Sequence, residues 1–247
     1  MKIAVLSDIH GNMEAWNAVL TDMKEFNCEK LFVLGDYAMA GPEPDKVVDY
    51  FMGKVLQNNF QLIQGNTDDF IANFSENLYE NLKEKAPVMA EALRNDVSIL
   101  NKSQIDFLKK LPSQLNLERD GVKILLVHGS PRKNNEDILP NTPLEKLEEI
   151  IAGVQADVIL CGHTHLPCGF QTDSKKTIVN VGSVGRPFTE DPKACYLKMT
   201  ITNGQCLFEH RFVDYDRKIA SEKLLKRGFH GCEKLANTLL NPSERHF

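Results

Sequence analysis

Seven histidines occur in the chain, and four of them fall in short polar clusters that each follow an apolar run. The clusters are Asp8-Ile9-His10, Gly35-Asp36, Gly65-Asn66-Thr67-Asp68, His128-Gly129 and Gly162-His163-Thr164-His165. The other histidines, His210, His230 and His246, lie outside them. A lone Asp-x-His after a strand is more often a cap or turn than a ligand, and a lone Gly-Asp carries no information. Gly-His-Thr-His says more. Alternate residues of an extended segment point the same way, so His163 and His165 could face one ion. The joint pattern is what points to chemistry. Carboxylates, imidazoles and one amide together suit manganese, iron or zinc rather than calcium. Two such ions roughly 3.5–4 Å apart, bridged by a carboxylate, clamp a phosphoryl group for in-line attack by a metal-activated hydroxide.

The elements that must position these residues read as β-α-β-α-β over the first 66 residues. Lys2–Ser7 is a nearly continuous apolar run, as expected of a parallel strand buried on both faces. Asn12 to Phe26 has helical spacing, with Asn12 as N-cap. Lys30–Leu34 and Phe60–Ile63 read as strands, and Asp45–Lys54 as a helix. Phe70 to Asp96 reads as a helical excursion over the sheet edge. Ser103–Leu111 is an amphipathic helix, with Ser103 as candidate cap and Pro112 as its stop. Gln114–Glu118 and Val122–Val127 flank Arg119-Asp120-Gly121 as a hairpin. Pro143–Val154 is a helix and Val158–Cys161 a strand. Cys168–Thr172, Thr177–Val181, Ala194–Ile201 and Gln205–Val213 have β texture, and the tail from Asp216 to Leu240 is helical with a break near Gly228–Gly231. In open α/β sheets, ligands sit outside the carboxyl ends of the strands, where each polar cluster falls.

At 247 residues the chain is long enough to bury a full core without disulfides. It is expected to form one domain over 1–247, with a helical cap insertion at about 70–100 and a helical tail at about 216–240. No internal repeat and no Pro/Gly/Ser linker divides it. The net charge of −5 argues against general nucleic-acid binding. No 18-residue apolar run is present, so no membrane span is expected. The six cysteines form no C-x-x-C pair and read as ordinary thiols of a reducing, cytoplasmic setting.

In order, these clusters match D-x-H, G-D, G-N-x-D/E, an H after a strand, and G-H-x-H. The sequence thereby resembles the calcineurin-like metallophosphoesterase superfamily. Asn180-Val181-Gly182-Ser183-Val184-Gly185-Arg186-Pro187 is similar to the segment after the last motif in the small bacterial phosphodiesterase branch. The resemblance covers roughly the first 210 residues and leaves out the tail. It implies an α/β fold, a four-layer α/β-β/α sandwich of two mixed sheets with helices outside. The first sheet would be mostly parallel, and the second more antiparallel and built from residues after 165. It implies a pair of divalent ions, with manganese favoured over iron or zinc. Asp8, His10 and His165 would hold one ion, Asn66, His128 and His163 the other, and Asp36 would bridge. Asp36, Asn66 and His128 thus count as catalytic as well as metal-ligating. Asn12 is a candidate to support the ligands, and Arg186 to bind a phosphate oxygen, unless it serves a loop salt bridge.

Thr67 departs from the family pattern. Many relatives carry His there, which protonates the leaving oxygen, and threonine is no general acid near pH 7. A serine alkoxide needs that proton badly; a phosphate or aryl oxide needs it less. The expected substrates are therefore small nucleotide-type phosphodiesters or phosphoanhydrides, diadenosine tetraphosphate among them. Asp68 is an alternative proton donor, though its commoner role would be to orient a ligand. His230 is a further candidate if the tail folds over the site. Phe70, Phe74, Leu78, Tyr79 and Leu82 form a stripe that either packs on the sheet or walls the site for a nucleobase or aryl group. The rival readings are a phosphomonoester or serine/threonine phosphoprotein phosphatase, a nuclease, and a non-catalytic interaction scaffold of the same fold. The scaffold requires missing ligands, and all seven ligand positions are metal-competent. The sequence does not set an oligomeric state.

Overall fold

Each central strand presents alternate residues to opposite faces, and both faces are apolar. In β1 (Lys2–Leu6), Ile3 and Val5 face one way and Ala4 and Leu6 the other, and all four are buried. A strand of that kind needs a layer on each side. The computed structural model, which describes residues 1–241 apart from Val55 and Asn58, supplies them.

The first sheet runs β10-β9-β1-β2-β3, with β2 at Lys30–Val33, β3 at Phe60–Leu62, β9 at Ala194–Thr202 and β10 at Gln205–Val213. The second runs β4-β5-β6-β8-β7, with β4 at Gln114–Arg119, β5 at Val122–Val127, β6 at Val158–Cys161, β7 at Cys168–Gln171 and β8 at Thr177–Asn180. Ile3, Val5, Phe32 and Leu34 of the first sheet meet Ile124, Leu126, Val158 and Leu160 of the second in a shared inner core. The outer face of the first sheet packs on α1 (Met13–Phe26), α2 (Pro44–Met52) and the C-terminal α8 (Arg217–Leu225) and α9 (Cys232–Leu240). The outer face of the second packs on α7 (Leu144–Ile150) through Leu147 and Ile150. The order helix, sheet, sheet, helix is the expected four-layer α/β-β/α sandwich.

The sheets are divided differently from the sequence-based expectation. Both are mixed, each with two parallel and two antiparallel pairings. The second sheet is not built from residues after 165. Its centre is β5 and β6, apolar runs paired in parallel through α7. After β8 the chain crosses back, where Val184 N–H donates to Ser7 O at 3.0 Å and Gly185 N–H to Asp8 O at 2.9 Å. That delivers β9 to the open edge of β1, antiparallel, and β10 follows.

The segment after β3 is three helices rather than one excursion: α3 (Asn66–Ala72), α4 (Glu76–Lys85) and α5 (Pro87–Ile99). Ser75 caps α4 by accepting from Leu78 N–H, and Pro87 stops α4 and opens α5. The next helix, α6 (Lys102–Lys110), is capped by Asn101 and not by Ser103. Asn101 Oδ1 accepts from Gln104 N–H at 3.1 Å while Gln104 Oε1 accepts from Asn101 N–H at 2.8 Å, a reciprocal box that serine at 103 cannot form. α7 ends four residues before Val154. The described cysteines are all free thiols. Among the described residues no helix is long and apolar enough to cross a membrane.

Candidate metal centre

Five strands end at one rim. β1 leads to Asp8 and His10, β2 to Asp36, β3 to Asn66, β5 to His128, and β6 to His163 and His165. The chain must turn sharply there while keeping its polar side chains inward. It does so in the left-handed region, with φ of 57° at Asp8, 47° at His10, 56° at Asp36, 67° at His163 and 61° at His165. Each such residue costs about 1–2 kcal/mol without glycine's freedom. The close approach of the loops is made at Gly65, where a Cβ would lie 2.1 Å from Asp36 Oδ1.

The imidazoles are aimed by the main chain. His10 Nδ1 lies 2.8 Å from Met39 O, His128 Nδ1 2.7 Å from Leu34 O and His165 Nδ1 2.5 Å from Arg186 O. A carbonyl only accepts, so each Nδ1 carries the hydrogen and each Nε2 turns a lone pair inward. These lone pairs converge. His10 Nε2 and His165 Nε2 are 3.2 Å apart, and Asp8 Oδ1 is 3.2 Å from the latter and 3.9 Å from the former. Asp36 Oδ2 lies 3.7 Å from His10 Nε2 and 3.4 Å from His128 Nε2. Asn66 Oδ1 is 2.9 Å from His128 Nε2. His163 stands apart from the Nε2 cluster. Its ring meets that of His128 edge-on at 5.3 Å, and its Nε2 lies 3.2 Å from Asp137 Oδ1. His163 and His165 therefore face different neighbours, because both are in left-handed turns and not in an extended segment.

The donor set fits divalent metal. Asp8 with His10 and His165, and Asp8 with Asp36 and His128, each gather three buried ligand atoms within 4.8 Å of one another. Two opposed lone pairs repel unless a cation lies between them. Asp8 Oδ1 is buried with no hydrogen-bond partner, which is costly for a carboxylate oxygen. The electrostatics agree. Burial works to raise the Asp8 pKa, but His165, His128 and His10 outweigh it and hold the carboxyl well below the usual range. Burial also works against ionising Asp36, and His128 beside it prevails and lowers its pKa. Burial works to lower His128, yet the Asp36 and Asp8 charges raise it to about 9. A metal ion at that Nε2 takes the place of the proton.

Other residues hold this frame. Asp68 is fully buried and accepts from Asp36 N–H at 2.7 Å, Gly65 N–H at 2.9 Å and Tyr37 N–H at 3.0 Å. Burial, then the Asp36 charge, pushes its pKa up to about 7. Asn12 caps α1, accepting from Ala15 N–H at 3.1 Å, and its Nδ2 donates to Gly185 O at 2.9 Å. Two supports carried no signal beyond their place in the Asn180–Pro187 run. Ser183 Oγ donates to Asp8 O at 2.8 Å, and Asn180 Nδ2 donates to Gly162 O at 2.7 Å.

The pocket over the centre encloses ≈ 90 Å³. Thr67, Phe70, Leu82, Met89, Arg186 and Phe188 line it beside the ligands. Of the sequence's aromatic stripe, then, Phe70 and Leu82 reach the site. Phe74 and Leu78 pack on the outer core, and Tyr79 is buried. Arg186 forms no loop salt bridge among the described residues. Its Nε is buried without a partner, its Nη1 is 3.5 Å from Met89 Sδ, and burial lowers its pKa to about 10. Phe188 stacks on His165 at 4.7 Å and 8°. His230 is exposed and is not part of the pocket lining.

The sequence profile of the calcineurin-like phosphoesterase superfamily domain matches residues 1–204. An uncharacterised protein of Methanocaldococcus jannaschii is 28% identical, spanning 91% of this chain and 92% of its own. A crystal structure of a hypothetical protein from Pyrococcus horikoshii superposes with a TM-score of 0.88 at 23% identity, covering 99% of each chain. A metallophosphoesterase from Sphaerobacter thermophilus superposes at 0.77 and 24% identity, covering 98% of this chain and 100% of that one.

Proposed function

The chain belongs to the calcineurin-like phosphoesterase superfamily and is a hydrolase acting on phosphoester bonds, and on that premise we propose that it cleaves phosphodiester or phosphoanhydride bonds of small nucleotide-type substrates with two divalent ions, manganese favoured. Asp8, His10 and His165 would hold the first ion, Asn66, His128 and His163 the second, and Asp36 would serve both. The observation that carries this reading is Asp36 Oδ2, within 3.7 Å of His10 Nε2 and 3.4 Å of His128 Nε2, one from each ligand set. Bound there, the ions would supply Lewis acidity and hydroxide at neutral pH.

The chain's own residues do the rest. Arg186 has an unpartnered buried Nε in a mostly apolar pocket, and a phosphate oxygen is the acceptor it lacks. Asp68 accepts three main-chain N–H bonds, which suits it to fixing the Asp36 loop rather than to donating a proton. Thr67 lines the pocket where a general acid would be needed for poor leaving groups. That favours a phosphate or aryl oxide as leaving group, as in diadenosine tetraphosphate or an aryl diester, over phosphoserine.

The test is hydrolysis by chelator-stripped protein, with and without manganese. Turnover of bis(p-nitrophenyl) phosphate and of dinucleoside polyphosphates is expected only with metal, and above that of phosphoserine. Folded protein that no divalent metal activates would overturn the reading.

A further inference from the structure

We propose that Asp137 is the positioning residue of His163, fixing that ring in the tautomer opposite to the other three site imidazoles, so that Nδ1 rather than Nε2 faces the second ion. The inference rests on the two-ion reading above and deepens it.

His10, His128 and His165 each present Nε2 because a main-chain carbonyl takes the Nδ1 hydrogen. His163 is built the other way round. Its Nε2 lies 3.2 Å from Asp137 Oδ1. An ionised carboxylate only accepts, so Nε2 carries the hydrogen and the lone pair sits on Nδ1. With Nε2 turned to Asp137, the His163 ring still lines the same pocket as His10 and His165. A carboxylate behind a ligating imidazole fixes the ring and raises its basicity more than a carbonyl does.

Asp137 is delivered by a formed loop. Ser130 N–H donates to Lys133 O at 2.8 Å, and Ser130 Oγ accepts from Arg132 N–H at 3.1 Å and Lys133 N–H at 3.2 Å. Arg132 Nε donates to Glu136 Oε2 at 2.9 Å. Ile138, next to Asp137, is buried in the core under α7. Asp137 is thus held between an ion pair and a core anchor. Its own side chain is 42% exposed, so replacing it leaves the core intact.

The test titrates manganese calorimetrically into chelator-stripped wild type, Asp137→Ala, Asp137→Asn, His163→Ala and the Asp137→Ala/His163→Ala double variant. Asp137→Ala is expected to weaken, by about 10- to 100-fold, the same binding step that His163→Ala weakens, and to leave the other unchanged. Asp137→Asn keeps an acceptor oxygen and loses less. The double variant binds no more weakly than His163→Ala alone, because Asp137 acts through that ring. Asp137→Ala binding as wild type does, or a double variant with an added loss, as for a direct ligand, overturns the assignment alone. Nitrogen-15 shifts of the metal-free protein give an independent readout, with His163 as a neutral Nε2–H tautomer where His10 and His165 are Nδ1–H. An Nδ1–H tautomer at His163 in wild type also overturns it. Wild type that takes up no manganese overturns the two-ion reading, and this one with it.

Discussion

A ligand residue is defined by its donor atom and by what aims that atom, and only the first is written in the residue type. The clusters at Asp8, Asp36, Asn66, His128 and His163 were legible because apolar strands end in them. Which nitrogen each imidazole offers was not, since it depends on carbonyls distant in sequence: Leu34 for His128, Met39 for His10 and Arg186 for His165. The left-handed turns were invisible for the same reason. Asp and His enter the left-handed region more readily than most residues, but the types of Asp8, His10, Asp36, His163 and His165 do not by themselves require it. They are kept there by main-chain bonds between loops, such as His10 N–H to Asp36 O at 2.9 Å and Gly11 N–H to Tyr37 O at 2.8 Å. Asp36 is where geometry and type agree most closely. Asp36→Asn keeps the shape and one acceptor oxygen, and removes the charge between the two imidazole sets. Its circular dichroism is expected to match wild type while metal-dependent diester turnover falls by more than about 100-fold, beyond the loss typical of outer-shell changes. A well-folded variant with full activity would remove Asp36 from the bridging role.

At the scale of elements, local signals served well where they were sufficient and failed where a partner decided. The α1 cap at Asn12 and the β4–β5 hairpin are local and fell as read. The stripe from Phe70 to Leu82 reads as one helical face, but Asn73 and Ser75 break it into α3 and α4, so its members point to different places. The sheet order depends on where the chain goes after Gly182, which no periodicity records. A buried contact ties the tail to the loops of the site. Arg227 Nη2 pairs with Asp96 Oδ1 of α5 at 2.6 Å, and its Nη1 donates to Gly41 O at 2.5 Å. Asp96 Oδ2 in turn accepts from Met39 N–H at 2.7 Å, beside the carbonyl that aims His10. Arg227→Ala leaves a buried carboxylate unpaired. A loss of about 3–5 kcal/mol follows, read in thermal melting as a fall of at least about 6 °C at this chain length. Lysine at 227 cannot span both acceptors and should restore only part of it. A second clamp joins α1 to β9 and β10. Asp22 accepts from Arg211 Nη2 at 2.8 Å and Tyr196 Oη at 2.7 Å. Burial works to raise the Asp22 pKa, and these bonds outweigh it and lower it. Its contribution is therefore present above the unfolded value, about pH 3.9, and lost as pH falls through the lower folded value. Asp22→Asn should melt below wild type at pH 7, with the gap closing as the pH falls below about 3.9. A gap that persists at pH 2 would place the effect in packing instead.

At the scale of the whole molecule, the proposed ligands divide between the two sheets. Asp8, Asp36 and Asn66 follow strands of the first; His128, His163 and His165 follow strands of the second. Along most of their length the sheets are joined by apolar side chains such as Val5, Phe32, Leu126 and Leu160. At the rim that core gives way to buried carboxylates and inward lone pairs, which bring no cohesion of their own without a cation. Direct ties across the rim are few and specific, among them His128 Nδ1 to Leu34 O at 2.7 Å and His163 N–H to Asp8 Oδ2 at 3.0 Å. Bound ions would therefore act as a cross-link between layers as well as a reaction centre. With free metal about 100-fold above its dissociation constant, one site adds about 2.7 kcal/mol to folding. At this chain length that corresponds to a rise of about 5–10 °C in melting temperature. Chelation should reverse it, and the loss should be local. Amide exchange should quicken at Ser7–Gly11, Asp36–Tyr37 and Gly162–His165, while the β4–β5 turn, at the end of β5 away from His128, keeps its protection. If chelation instead raises exchange evenly through both sheets, the ions stabilise the fold only by mass action. If neither melting nor exchange responds, the opposed imidazoles of His10 and His165 need another explanation than a shared cation.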